Sequence, residues 1–354
     1  MSNIAGLLDI IYKAEIPDPG VLEYFLSLDN KKDLEELFSF ADKVRKEFCG
    51  DGIILRGIIE FSSFCARECF YCGLSKFNRE LPRYRMSKSE LLESVAYLAS
   101  CNIKTVVLQS GEDPGLDPLW LEDIIRNIKS RFDLAITLSV GERSADDYRI
   151  WRQAGADRYL LKIETSDNNL YSSMHPGMSF ARRLSCLNTL KDLDYQVGSG
   201  NIIGLPGQTL ETIARDIIFF KQYNFDMIGI GPFIPHPATP FAGQKEADTP
   251  LTLKVIALTR IVTRNAHLPA TTALGSLGSD YRPEGLKCGA NVLMPNFTPQ
   301  PYRKLYAIYP GKRCVDEPAG ACNFCMEGMA KTTGRFIDYS KGNSLKEKGV
   351  SSNV

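Results

Sequence analysis

The sequence predicts an α/β protein built on a (β/α)8 TIM barrel, with a helical extension before the barrel and a cysteine-containing tail after it. Three observations predict this. Eight short, nearly continuous apolar runs recur between residues 53 and 295. Amphipathic stretches of helical period separate most of them. The chemistry-bearing residues gather at the ends of these runs. Strands that are apolar throughout belong to parallel sheets covered on both faces, and eight alternating units fit a closed barrel. Such a barrel collects its functional groups at the C-terminal ends of its strands. The expected division is 1–50 for the extension, 51–310 for the barrel and 311–354 for the tail.

In chain order, residues 1–48 read as three short helices. Val21, Tyr24, Phe25 and Leu28, then Leu34, Leu37, Phe38, Ala41 and Val44, fall at helical spacing. Asp18-Pro19 and the polar stretch 30–33 punctuate them. The strand runs are 53–61, 105–110, 134–140, 158–165, 196–204, 227–234, 267–274 and 289–295. Helical stretches lie at 87–100, 119–132, 180–193, 210–223 and 251–263. The crossover at 281–287 is short for a full helix, so a partly open barrel or an open doubly wound sheet is the alternative. The low-hydrophobicity end, 344–354, is expected to be disordered.

The bulk numbers exclude several classes. Of 354 residues, 44% are hydrophobic and 24% charged, with 42 basic and 42 acidic side chains. That balance gives no basis for a nucleic-acid or membrane partner. No run of 18 apolar residues and no signal peptide is found. Ten cysteines are many, and without a secretory signal their clustering reads as metal or cluster ligation in a reducing, cytoplasmic setting. The three histidines are scattered.

Cys65, Cys69 and Cys72 form a C-x3-C-x2-C array directly after the first strand run. Three thiolates are one short of a closed zinc site and suit an iron–sulfur cube with one iron left open. Cys314, Cys322 and Cys325 form a second group, C-x7-C-x2-C, in the tail.

Other polar residues mark strand ends. Ser110, Gly111 and Glu112 follow the second run, where a simple turn is the plainest reading. Thr137 and Ser139 share one face of the third. Lys162 and Glu164 share a face of the fourth, and charges within an apolar strand are costly unless used or paired with each other. Arg183 or Arg182, in the next helix, offers a guanidinium fork for a carboxylate. Gly204 belongs to a small-residue stretch, 198–209, that permits close approach to backbone. Met227 opens the sixth run, and His236 reads as a loop residue.

The cysteine spacing, with Tyr71 before the last cysteine, resembles the signature of the radical S-adenosylmethionine (SAM) superfamily. The resemblance implies a [4Fe–4S] cluster on the three cysteines and SAM on the open iron, reductively cleaved to a 5′-deoxyadenosyl radical. Ser110-Gly111-Glu112 resembles the motif that accepts from the SAM amino group, and 198–209 the motif that supports adenine. Further segments are similar to the HydE-type maturases of [FeFe]-hydrogenase. They include Arg83-Tyr84-Arg85-Met86, Leu108 to Pro114, Gly229 to Pro237, Pro269 to Ala273 and Cys288 to Val292. That family implies SAM contacts at Glu164, Arg183 and Tyr306, with Tyr71, Gly204 and Met227 among the cofactor contacts. It implies a small anionic or organometallic substrate near Thr137, Thr271, Thr272 and Met294, to which the strand faces add Ser139 and Lys162 as candidates. It implies a second cluster, carried by some members, on Cys314, Cys322 and Cys325. Its partners are the HydG and HydF maturases and an external electron donor.

One departure stands out. Lys162-Ile163-Glu164 replaces an expected Arg-His-Glu, which keeps the charge but loses the planar fork. The rivals are a methylornithine-synthase-like mutase, a biotin-synthase-like enzyme and a non-catalytic iron–sulfur scaffold. Biotin synthases carry cysteines inside the barrel strands, and no strand run from 105 to 274 contains one. A scaffold has no use for Gly111-Glu112 and Glu164.

Overall fold

The structure is a computed structural model that describes residues 4–317 and 321–346, the side chains of 321–324 excepted. Its strands are β1 (Gly52–Leu55), β2 (Gly57–Ser62), β3 (Thr105–Ser110), β4 (Ala135–Ser139), β5 (Arg158–Leu160), β6 (Gln196–Ile203), β7 (Met227–Pro232), β8 (Val292–Leu293) and β9 (Phe336–Asp338). Strands β2 to β7 pair in sequence order, all parallel. The sheet then closes on itself. Ile228 N donates to His267 O at 2.9 Å, and Pro269 bridges Val292. Strand β8 pairs with β1, and Ile58 N donates to Pro295 O at 2.8 Å. The result is the expected eight-membered parallel barrel.

Four strands differ most from their apolar runs, and the eighth, expected over 289–295, is only Val292–Leu293. The first is broken at Arg56, which separates β1 from β2 and sends its side chain to Met227 Sδ at 2.7 Å. The fourth run ends at Leu160. Glu164, four residues on, has a left-handed backbone (φ +63°) that no strand continues through. The seventh run is reduced to bridges at His267 and Pro269, because a proline has no N–H to give a ladder. The short crossover is a six-residue helix, Arg282–Lys287.

Alternation along the strands separates two faces. Val106, Leu108, Ile136 and Leu138 join the apolar cluster with Leu91, Leu121 and Ile124 of the covering helices. The intervening Val107, Gln109, Thr137 and Ser139 therefore face the barrel interior. The extension forms three helices, Ile4–Lys13, Pro19–Ser27 and Lys31–Cys49, the last longer than expected at 19 residues. They pack over the Leu210–Tyr223 and Thr249–Thr263 helices. The Thr249–Thr263 helix is buried on every side from Thr252 onward, its Lys254 and Arg260 included.

The tail closes the barrel floor. Strand β9 pairs with β1. Lys341 O accepts from Thr105 Oγ1 and Arg158, each at 2.8 Å, and Gly342 O accepts from Arg56 at 3.1 Å. His267 Nε2 meets Asn343 O at 2.8 Å. Ser344 N donates to Gln196 Oε1 at 3.0 Å. Residues 344–346 are thus ordered, contrary to expectation, and 347–354 lie outside the described residues. The composition misled because hydrogen bonds rather than apolar burial hold the end of the chain: the buried Arg56 and Arg158 bind residues 341–343, and Gln196, Asp226 and Phe225 O bind residues 344–346.

Candidate active site

The loop after β2 carries Cys65, Cys69 and Cys72. Arg83 fastens it, donating to the carbonyls of Ser63 (2.6 Å), Leu74 (2.9 Å), Ser75 (3.0 Å) and Asn78 (3.1 Å). Ala66 N donates to Glu112 O at 3.0 Å, tying the loop to the end of β3. Gly111 is required there. A Cβ on it would stand 2.3 Å from Phe64 O and 2.8 Å from Cys65 Cβ. Burial raises all three thiols, that of Cys72 up to about 12, and the neighbouring thiol charges raise Cys69 further. Three thiolates in this loop need a positive counter-charge, which a cluster of irons supplies. The donor set fits that group.

Tyr71 is held by a residue that the sequence reading passed over. Its phenol lies 2.8 Å from His175 Nε2, while His175 Nδ1 lies 2.8 Å from Tyr171 O. A carbonyl only accepts, so Nδ1 carries the proton and Tyr71 donates to Nε2. Burial lowers His175 to about 3 and keeps it neutral. A lone histidine gives no spacing signal; only the neighbouring Tyr171 hints at the pair. Tyr71 and Phe70 also border an apolar patch of Met174, Leu205 and Phe233, with Ile202.

Arginines and glutamates knit the strand ends together. Arg67 Nε donates to Glu112 Oε2 at 2.5 Å. Arg183 Nε donates to Glu142 Oε1 at 2.7 Å, and its fork also reaches Lys162 O and comes within 3.7 Å of Glu112. Arg67 comes within 3.7 Å of Glu142. Arg183 is buried within this network, and Arg182 is exposed. Glu142 was not singled out from the sequence. Its signal is a repeat: Gly111-Glu112 ends β3 as Gly141-Glu142 ends β4. A Cβ on Gly141 would stand 1.8 Å from Glu112 Cγ, so the two Gly-Glu pairs interlock. Ser110 Oγ donates to its neighbour's carbonyl, Gly111 O, at 2.7 Å.

Lys162 and Glu164 pair with each other, Nζ to Oε2 at 2.8 Å. The buried Oε2 of Glu164 nonetheless has no aligned hydrogen-bond donor, and neither has the buried Oγ1 of Thr137 on β4. Both acceptors suit a ligand bearing N–H or O–H groups, as SAM or a polar substrate does. Tyr306 OH accepts from Gln109 Nε2 at 3.3 Å. Thr271 Oγ1 donates to Ile230 O at 3.3 Å, and Thr272 O accepts from Gly275 N at 3.0 Å. Ser139 ends β4, and Met294 follows β8, half-buried. Gly204 (φ +86°) packs against Ala247, which a Cβ would meet at 2.7 Å. Met227 is not brought to the cysteines. It is the first residue of β7, so it lies on the floor against Arg56.

In the tail, Cys314 O accepts from the buried Arg303 at 3.1 Å. Cys314 and Cys325 both lie within the charge field of Arg282, which pairs with Asp280 at 2.6 Å. The Cys322 side chain lies outside the described residues.

A closed parallel barrel with three cysteines in the loop after its first strand, and a Glu-Arg network at the strand ends beside them, defines a radical SAM-type barrel enzyme. The model of the Radical SAM superfamily matches residues 59–220. The [FeFe] hydrogenase maturase subunit HydE of Thermotoga maritima is 48% identical over 315 residues, 89% of this chain and 90% of that one. The 3-methylornithine synthase of Methanosarcina acetivorans is 30% identical, over 77% of each chain. A crystal structure of methylornithine synthase superposes with a TM-score of 0.83 at 26% identity, covering 94% of this chain and 97% of that one. The chain belongs to the HydE family of radical SAM enzymes. Membership implies a [4Fe–4S] cluster and SAM. Among the described residues, no helix is long and apolar enough to cross a membrane.

Proposed function

We propose that this chain reductively cleaves SAM and acts in assembling the diiron site of [FeFe]-hydrogenase. The observation that carries this reading is the 48% identity to the Thermotoga maturase across 90% of its length. Cys65, Cys69 and Cys72 would hold the cluster. When bound, the cluster supplies the electron that cleaves SAM to a 5′-deoxyadenosyl radical. The residues of the chain bind, orient and shield. The carbonyls of the Ser110–Glu112 turn and the Glu112 carboxylate are acceptors for an ammonium group. Glu164 offers a buried acceptor oxygen, and Arg183 a cation held rigidly by Glu142. Tyr71, fixed by His175, presents a ring beside Ile202 and Leu205, an apolar surface suited to a purine. Gly204 keeps backbone close to that surface, and Tyr306 closes the interior above Gln109.

The substrate is a small anionic or organometallic species taken into the interior among Thr137, Ser139, Lys162, Thr271, Thr272 and Met294. The HydG and HydF maturases and an external electron donor are its working partners. Cys314, Cys322 and Cys325 are proposed to carry a second cluster on a tail domain from residue 311, with Arg282 supplying positive charge beside Cys314 and Cys325.

The likeness to methylornithine synthase favours a second reading, a radical SAM mutase. The two are separated by activation of apo-hydrogenase. The anaerobically reconstituted protein is supplied with HydG, HydF, SAM and a reductant. Hydrogenase activity above that of a mixture lacking this chain supports the maturase. Formation of methylornithine, without activation, supports the mutase instead.

A further inference from the structure

We propose that Asp216, which lies behind strand β6 and touches no part of the site, is a positioning residue that locks the turn carrying Glu164. The proposal rests on the reading of Glu164 as a SAM contact.

Glu164 is a non-glycine residue at φ +63°, a conformation that the surroundings must impose. Part of the constraint is backbone. Glu164 N donates to Gly200 O at 3.0 Å, and Ile202 N donates to Glu164 O at 3.1 Å. The rest converges on Asp216, from the Leu210–Tyr223 helix. Its Oδ1 accepts from Ser166 N at 2.6 Å, Ser166 Oγ at 2.7 Å and Thr165 Oγ1 at 3.4 Å. Its Oδ2 accepts from Asn201 Nδ2 at 2.9 Å. One carboxylate therefore joins the two residues after Glu164 to the strand position that Glu164 bridges, since Glu164 pairs with Asn201.

Asp216 is fully buried, and every hydrogen bond that reaches it comes from a neutral donor. Burial pushes its carboxyl up to about 6 despite those donors. The charged form thus works against folding at neutral pH. A site needing only the shape would be better served by asparagine. What the carboxylate adds is acceptor capacity: two oxygens take four donors, whereas an asparagine oxygen replaces only one of them and its amide group repels the other donor. Asp216 acts on the turn by acceptance alone, adding to the backbone bonds of Glu164, whose side chain pairs with Lys162.

The test uses the reconstituted full chain and reads SAM binding from the EPR spectrum of the reduced cluster, with no turnover required. Asp216→Asn is expected to keep wild-type iron content and an equal or higher melting temperature, and to bind SAM about tenfold more weakly or worse, the scale on which outer partners of binding groups act. Glu164→Gln should show the same weakening. Ser166→Ala, which removes one of the four donors, should fall between wild type and D216N. The proposal is overturned if D216N binds SAM within twofold of wild type while E164Q does not. It is also overturned if D216N melts earlier or loads less iron, which would assign Asp216 to the general fold. If E164Q binds as wild type does, the reading of Glu164 fails and carries this proposal with it.

Discussion

Arg183 and Glu142 form a buried ion pair, Nε to Oε1 at 2.7 Å, with both side chains less than 10% exposed. It links the helix after β5 to the end of β4 directly behind the cysteine loop. A buried pair of this kind is worth most when one partner is removed, because the other charge is stranded. Glu142→Gln is expected to destabilise the fold by about 3 kcal/mol. Urea unfolding measures it. A change near zero would mean that Glu112, 3.7 Å away, compensates fully.

The interlocked Gly-Glu pairs make a sharper contrast. Gly141 and Gly177 both have positive φ, +77° and +71°. A Cβ at Gly177 meets nothing within 4 Å, whereas one at Gly141 strikes Glu112. Gly177→Ala should cost about 1 kcal/mol from backbone alone. Gly141→Ala should cost about 2 kcal/mol more and loosen the Arg67–Glu112 contact. Equal losses in denaturant titrations would remove the argument for interlocking.

Acid sensitivity follows from two buried histidines. His175 and His267 are each lowered from 6.5 to about 3, chiefly by burial. Between those values the unfolded chain binds a proton that the folded chain does not. Stability therefore rises with pH through the window and is complete above about 6.5. Each group contributes a slope approaching ~1.4 kcal/mol per pH unit. Asp216, raised from 3.8 to about 6, works in the opposite sense and offsets part of it. His175→Gln should flatten the profile by roughly one proton. A profile of unchanged slope would show that His175 is protonated in the folded protein.

The floor segment gives a fourth expectation. A chain ended at Ser340 loses the acceptors of Arg56, Arg158 and His267. Stranded buried donors cost about 1–3 kcal/mol each, so this truncation should melt well below the full chain. Calorimetry that found the two alike would mean that water satisfies these groups.

The cysteine loop and the barrel were legible because spacing and period encode them directly, whereas Arg183 and Arg182 stayed rivals in sequence and only their burial distinguishes them. Glu142 and His175 were not legible. Each acts through one partner far along the chain, Arg183 and Tyr71, and a single polar residue has no period to reveal it. The seventh strand misread because His267 to Leu274 is apolar, while Pro269 denies it a ladder. Met227 was placed with the cofactor through the family resemblance, yet its position at the start of β7 puts it on the floor. The 341–346 segment reads as polar because carbonyls and polar side chains, rather than apolar burial, hold it.

The central claim is that Cys65, Cys69 and Cys72 hold a cluster to which SAM binds. The most direct measurement is EPR of the anaerobically reconstituted, reduced protein with and without SAM, with 5′-deoxyadenosine assayed in the same samples. A spectrum that shifts on adding SAM is expected, with 5′-deoxyadenosine formed by wild type, and neither in Cys69→Ser. A spectrum indifferent to SAM with no 5′-deoxyadenosine, or a Cys69→Ser protein as active as wild type, would contradict the claim.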